Sequence, residues 1–388
     1  MIIQQVIWTA GAGWIPHRPG VPWSDAHLVL VFGARRLLEQ TDALADVRSA
    51  FPDAHIVGCS TAGEIAGDQV LEDTVVVTSL RFSSSWCRSA AVELSSVSSS
   101  AEAAVVLTAR LPDHHLLRHV LVFSDGLRVN GSELVRGLVA GLPSAVAVTG
   151  GLSADDARFE QTTVVAEGHA RQGVVTAAGL YGDALRIGYG SLGGWDAFGP
   201  VRRVTRSKGN VLYELDGQSA LALYRKYLGE QARDLPASGL LFPLRVREQE
   251  SDTGVVRTIL GINDADDSMT FAGDVPEGAL AQLMRANFDR LVDGAIGAAK
   301  VSTAAMDDVL PQCALLISCV GRKMVLQQRV EEEIEGVLDV VGATTTLTGF
   351  YSYGEISPFS PSARCELHNQ TMTVTTIAEV VQARATNG

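Results

Sequence analysis

The chain has 388 residues, is 46% hydrophobic, and carries 31 basic against 44 acidic side chains, a formal charge of −13. That length holds two domains or one large composite with a substantial core. The acidic balance excludes proteins built on a cationic footprint for nucleic acid or an anionic membrane surface.

Residues 1–25 read as an N-terminal extension, without the basic and long apolar segments of a secretory signal. No stretch reaches the ~18 apolar residues of a membrane span. Cys59, Cys87, Cys313, Cys319 and Cys365 show no paired spacing, so a reduced, cytoplasmic protein is expected. A first unit begins with the apolar run Leu28–Phe32, which suits a buried strand. A helix carrying Leu37, Leu38, Leu44 and Ala45 follows and stops at Pro52. Ile56-Val57 then leads into Gly58-Cys-Ser-Thr-Ala-Gly-Glu-Ile65, and Val75–Leu80 and Ser89–Leu94 read as further strands. After a helix over 101–110, a second unit repeats the plan: strand Val120–Phe123, a helix capped by Ser132, and strand Ala145–Val148. It closes on Gly150-Gly-Leu-Ser-Ala-Asp155, a degenerate copy of the glycine motif. His114, His115 and His119 are expected in a solvated loop.

A domain break is expected near Asp216–Leu223, dividing the chain into domains 26–218 and 219–388. Asp274-Val-Pro-Glu277 resembles a capping box, and Leu280, Leu283, Met284, Phe288, Leu291, Val292, Ile296 and Ala299 fall on one face of a predicted long helix. A third unit runs from strand Cys313–Cys319 through a helix carrying Leu326, Val330, Ile334, Val337 and Val341. Glu331–Glu333 read as that helix's solvated face. Thr344–Thr348 then delivers Gly349-Phe-Tyr-Ser-Tyr-Gly-Glu-Ile356. Strand and motif are spaced by roughly 30 residues in every unit, room for a crossover. The predicted fold is α/β: a composite of repeated strand–helix–strand units with mixed sheets, in two domains.

The two complete motifs share the skeleton G-x-x-x-x-G-E-I. The first is not a P-loop, because no Lys-Ser/Thr follows its second glycine. It also misses the nucleophile elbow, having Ala62 where the closing glycine belongs. A hydrolase or transferase using Cys59 or Ser60 is therefore the alternative reading, and a ligand-binding loop formed by Cys59, Ser60, Thr61 and Glu64 the preferred one. No histidine pair has metal-site spacing. If residues 350–356 are extended, Tyr351, Tyr353 and Glu355 share one face. Glu366 and His368 alternate on the following strand, with Asn369 reached through a bend. Tyr351, Tyr353, Glu355, His368 and Asn369 form the predicted pocket for a small polar ligand.

Both motifs, together with Glu366-Leu-His-Asn-Gln-Thr-Met-Thr373, the turn Ser318–Arg322 and the segment Asn287–Ala295, resemble FIST proteins, which pair an N-terminal with a C-terminal FIST domain. The resemblance covers the chain from about residue 25 to about residue 380. It implies a non-enzymatic sensory module that binds a small ligand, such as an amino acid-like metabolite, and acts on signalling partners. Free-standing members resemble nitric-oxide-sensing haem proteins (NosP type) that associate with histidine kinases or cyclic-di-GMP enzymes. With no kinase, receiver or cyclase segment in the sequence, signalling is expected in trans, and a homodimer is compatible with it. The haem alternative implies haem b with an axial ligand, for which His368 is the candidate.

Overall fold

The computed structural model describes residues 1–16, 25–112, 114–249, 254–359 and 363–380. Part of the expected N-terminal extension, residues 17–24, lies outside them.

Three copies of one unit make up the fold. The first contains β1 (Ile2–Thr9), β2 (Leu28–Gly33), α1 (Ala43–Ala50), β3 (His55–Ser60), the hairpin β4 (Glu64–Ala66) and β5 (Gln69–Leu71), and β6 (Thr74–Arg81). The second contains β7 (Trp86–Glu93), α2 (Ser100–Ala109), β8 (Leu117–Ser124), α3 (Gly131–Gly141), β9 (Ala147–Leu152), the hairpin β10 (Val164–Ala166) and β11 (His169–Arg171), and β12 (Val174–Tyr181). The third opens with β13 (Leu185–Leu192) and is interrupted by an insertion whose strands include β14 (Leu244–Arg247), β15 (Val255–Arg257) and β16 (Leu280–Arg285). It resumes with α4 (Phe288–Ala304), β17 (Cys313–Cys319), α5 (Val320–Leu326), α6 (Val330–Val341), β18 (Thr346–Ser352), the hairpin β19 (Gly354–Pro358) and β20 (Cys365–His368), and β21 (Met372–Glu379).

Each unit builds the same sheet. Its second and third long strands are parallel: β2 with β3, β8 with β9, β17 with β18. Parallel neighbours need a crossover, and the intervening helices supply it. The last long strand returns antiparallel to the second and then pairs with the first. Within the expected N-terminal extension, β1 pairs along its whole length with β6. The architecture is mixed α/β with a two-domain organisation, as the strand–helix–strand spacing predicts.

The hairpins are exchanged in a ring. That of the first unit extends the third sheet, β4 against β18. That of the second extends the first sheet, β10 against β3. That of the third extends the second sheet, β19 against β9. Gly58, Gly150 and Gly349 occupy one equivalent position, where a Cβ would stand 1.8–1.9 Å from the carbonyl oxygen of Val31, Val122 or Leu316. The glycine that opens each motif is thus required by close backbone approach. The three sheets meet on Phe32, Phe123 and Phe350, whose ring centroids lie 4.7 to 6.1 Å apart.

Several expectations are corrected. The predicted long helix is a strand followed by a helix: Leu280, Leu283 and Met284 belong to β16, which pairs with β14. Asn287, whose side chain accepts from the Arg290 N–H, caps α4 in place of the 274–277 box. Asn130, not Ser132, caps α3. His119 lies inside β8, buried and bonded to Thr149 at 2.8 Å; burial lowers its pKa to about 3. Glu333 is not solvated. It lies on the face of α6 that also buries Ile334 and Val337, ion-paired to Arg322 at 2.7 Å with both side chains fully buried.

Candidate functional site

The residues of the two complete motifs fall into matched networks. Glu64 accepts from the Thr61 hydroxyl and, at 2.7 Å, from the Thr74 hydroxyl. Glu355 accepts from Ser352 at 2.6 Å and from the Thr371 hydroxyl and N–H at 2.9 and 3.1 Å. In each case one donor precedes the hairpin and the other stands where the final long strand begins, so the carboxylate ties both ends of the exchanged hairpin. Desolvation raises the pKa of Glu64 to about 7 and of Glu355 to about 8, against the hydrogen bonds that lower them. Repeat two is degenerate here: β10 begins with Val164 at the equivalent register position, 14 residues after Gly150, whereas Glu64 and Glu355 each follow their glycine by six.

Cys59 is buried in the central apolar cluster, and desolvation raises its pKa well above that of a free thiol. The Ser60 hydroxyl donates to the Ala154 carbonyl at 2.7 Å and accepts from the Thr163 N–H at 2.9 Å. Both positions stitch strands together, and the thiol is not in the activated state that nucleophilic attack requires.

Tyr351, Tyr353 and Glu355 do not share a face, because the chain passes from the third sheet to the second at Tyr353. The Tyr351 hydroxyl donates to Glu333 at 2.7 Å, inside the Arg322 network. Tyr353 reaches into the longer loop of repeat two, bonding Asp155 and stacking on Phe159 at 4.3 Å. It lines a cavity of about 100 Å³ with Gly126, Phe159, Phe271 and Gly273. His368 does stand opposite Glu355 in the strand register. Its Nε2 is 2.7 Å from the Ser357 carbonyl, which can only accept, so that nitrogen carries the proton. Burial lowers its pKa to about 4. Asn369 turns back to donate to the Tyr353 carbonyl at 3.3 Å. The predicted set is therefore packed interior rather than one concave pocket.

The larger concavity lies beside it. A groove of about 640 Å³ runs between α3 of repeat two, strands β14 and β15 of the insertion, and the β19–β20 arm of repeat three. Val135, Val246, Phe359 and Leu367 give it an apolar lining, and Arg136, Arg247, Arg257 and Arg364 reach it from four different segments. Asp274 fastens the insertion to α3, accepting from Asn130 at 3.1 Å and Arg136 at 3.0 Å. Arg257 donates to the Asp274 carbonyl at 3.0 Å and to the Leu367 carbonyl at 2.8 Å, joining insertion to β20. Burial lowers its pKa to about 10, with Glu366 and Asp274 opposing the shift. Gly273 permits this approach, since a Cβ there would stand 2.9 Å from the guanidinium. These arginines were not legible as a site in the sequence: they are spread from 136 to 364 without a motif.

The haem alternative can be tested against this geometry. Phe359, not His368, lines the groove, and the two rings lie 4.1 Å apart. His368 is 1% exposed, and its Nε2 is engaged by the Ser357 carbonyl at 2.7 Å. The arrangement does not fit axial ligation by His368.

A profile of the FIST N domain matches residues 27–218, and one of the FIST C domain matches residues 220–358. No curated protein matches the chain. Among solved structures, a cyanuric acid hydrolase from A. caulinodans is similar at 9% identity and a TM-score of 0.39, over 98% of this chain and 99% of that one. A second cyanuric acid hydrolase is similar at 10% identity and 0.33, over 97% and 99%.

Proposed function

Because the chain belongs to the FIST family through both its N and C domains, we propose that it is a sensory protein that binds its ligand in the groove between the insertion and repeats two and three. FIST domains are sensory, small-ligand-binding domains of signalling proteins. The observation that carries the placement is the groove itself: it is the right size for a small molecule, with apolar side chains on its walls and several converging charged groups. Three segments distant in the sequence form its walls, so a ligand touching all three favours one relative arrangement of them and shifts a conformational equilibrium. The proposed function is non-enzymatic and cytoplasmic, and the partner reading that equilibrium in trans is a histidine kinase or a cyclic-di-GMP enzyme. Among the described residues no helix is long and apolar enough to cross a membrane. The buried Cys59 and the doubly bonded Ser60 support binding over nucleophilic catalysis. Nitric oxide sensing through haem b gains no support from His368.

The test is a thermal-shift screen of small metabolites on the full chain and on Ala363→Trp, which fills the groove from its partly exposed rim. Ligands that stabilise the wild type should lose their effect in the variant. A metabolite that stabilises both equally places binding elsewhere.

A further inference from the structure

Resting on that reading of the groove, we propose that its ligand is a small anion with an apolar body, held through a carboxylate or phosphate group by Arg257, with Arg364 at the rim. Arg257 is 6% exposed and, among the described residues, has no carboxylate within ion-pair distance. Two of its N–H groups serve the Asp274 and Leu367 carbonyls. A guanidinium has five, in a planar fork that matches a carboxylate or phosphate edge. Glu366 and Asp274 act on this charge without a direct ion pair, so its remaining N–H groups are left for an anion in the groove, and a buried charge gains from such a hydrogen-bonded partner.

The rest of the lining agrees. Arg364 is exposed and makes no ion pair among the described residues. Asp274 is already engaged by Arg136 and Asn130. Among the described residues of the lining, Glu248, Asp274 and Glu366 are its acids. Val135, Val246 and Phe359 offer an apolar wall to the remainder of the ligand.

Phenyl phosphate, benzoate and the neutral benzyl alcohol, titrated calorimetrically at constant ionic strength, separate the possibilities. At least one anion should bind saturably, and which one identifies the acid group. Binding should weaken about tenfold or more in Arg364→Ala, and likewise in Arg257→Lys, since charge-assisted pairs carry energies of that order. Arg364 is exposed, so its variant tests the proposal even if replacing Arg257 disturbs folding. No anion binding, or anion binding unchanged in Arg364→Ala, overturns the proposal. Benzyl alcohol binding as tightly as the anions, and lost in Ala363→Trp, overturns the anion assignment while the groove reading survives. Anion binding that persists in Ala363→Trp overturns both.

Discussion

Glu355 and Glu379 show how burial and donors set one residue type against itself. Glu379 resists the desolvation that would raise its pKa, because the backbone N–H groups of Ser83, Ser84 and Ser85 point at its carboxylate from 2.6 to 2.7 Å and hold it at about 2. Its stabilising contribution is present above the unfolded value of 4.5 and is lost as pH falls towards 2. Glu355 has the opposite sign. Its folded pKa of about 8 lies above 4.5, so its neutral form favours the fold below pH 4.5, and that contribution is lost as pH rises through 8. Glu355→Gln keeps the neutral shape without the proton. It should flatten the fall in melting temperature between pH 5 and 9, gaining roughly 2–6 °C at the alkaline end. Melting curves across that range give the check, and a variant tracking the wild type at every pH refutes it. The motif's glutamates were visible in the sequence, yet their role as hairpin ties was not. It depends on Thr74 and Thr371, which meet them only after the chain has folded back.

The hairpin exchange is the element-scale device that holds the three sheets together. Its cost is a backbone crossing so close that a methyl group cannot fit, and this explains glycine at 58, 150 and 349. Gly349→Ala should destabilise by about 3 kcal/mol or more, through a clash with the Leu316 carbonyl that backbone movement alone can relieve. Gly261→Ala is the control, because no atom lies within 4 Å of its added Cβ. Denaturant titrations that find the two variants equally stable would dismiss the close-approach account. At this scale periodicity had mixed success. The apolar runs at β2, β8 and β17 were legible because both faces of those strands are buried. The 280–299 stretch misled because a helix stripe and a half-buried strand followed by a helix can place apolar residues at compatible spacings. What distinguishes them is the β14 partner, which lies more than 30 residues earlier.

On the scale of the whole molecule, each sheet is incomplete without a neighbour's hairpin, so the three repeats should unfold together. Trp8 and Trp14 report on the first repeat, Trp86 on the second and Trp195 on the start of the insertion. Fluorescence and far-ultraviolet circular dichroism should therefore give coincident transitions for the repeats, the usual mark of a single cooperative unit. An early fluorescence step with the sheet signal of two repeats intact would contradict this. The exchange also crosses the family boundary. β13 lies within the residues matched by the FIST N domain, but it pairs with β21 in the C-terminal half. The candidate groove likewise draws on both halves, through α3 on one side and β20 on the other.

The sequence by itself determined the repeated strand–helix–strand plan and the family. Buried parallel strands leave long apolar runs, and backbone crossings leave glycines at fixed spacing, so both can be read locally. Tertiary structure alone decided which sheet each hairpin joins, how Tyr351, Tyr353 and Glu355 part company at a sheet change, and where four scattered arginines converge. The reason is the same throughout: a side chain's neighbours across sheets and domains depend on chain segments a hundred or more residues away, and neither periodicity nor a local motif encodes that distance.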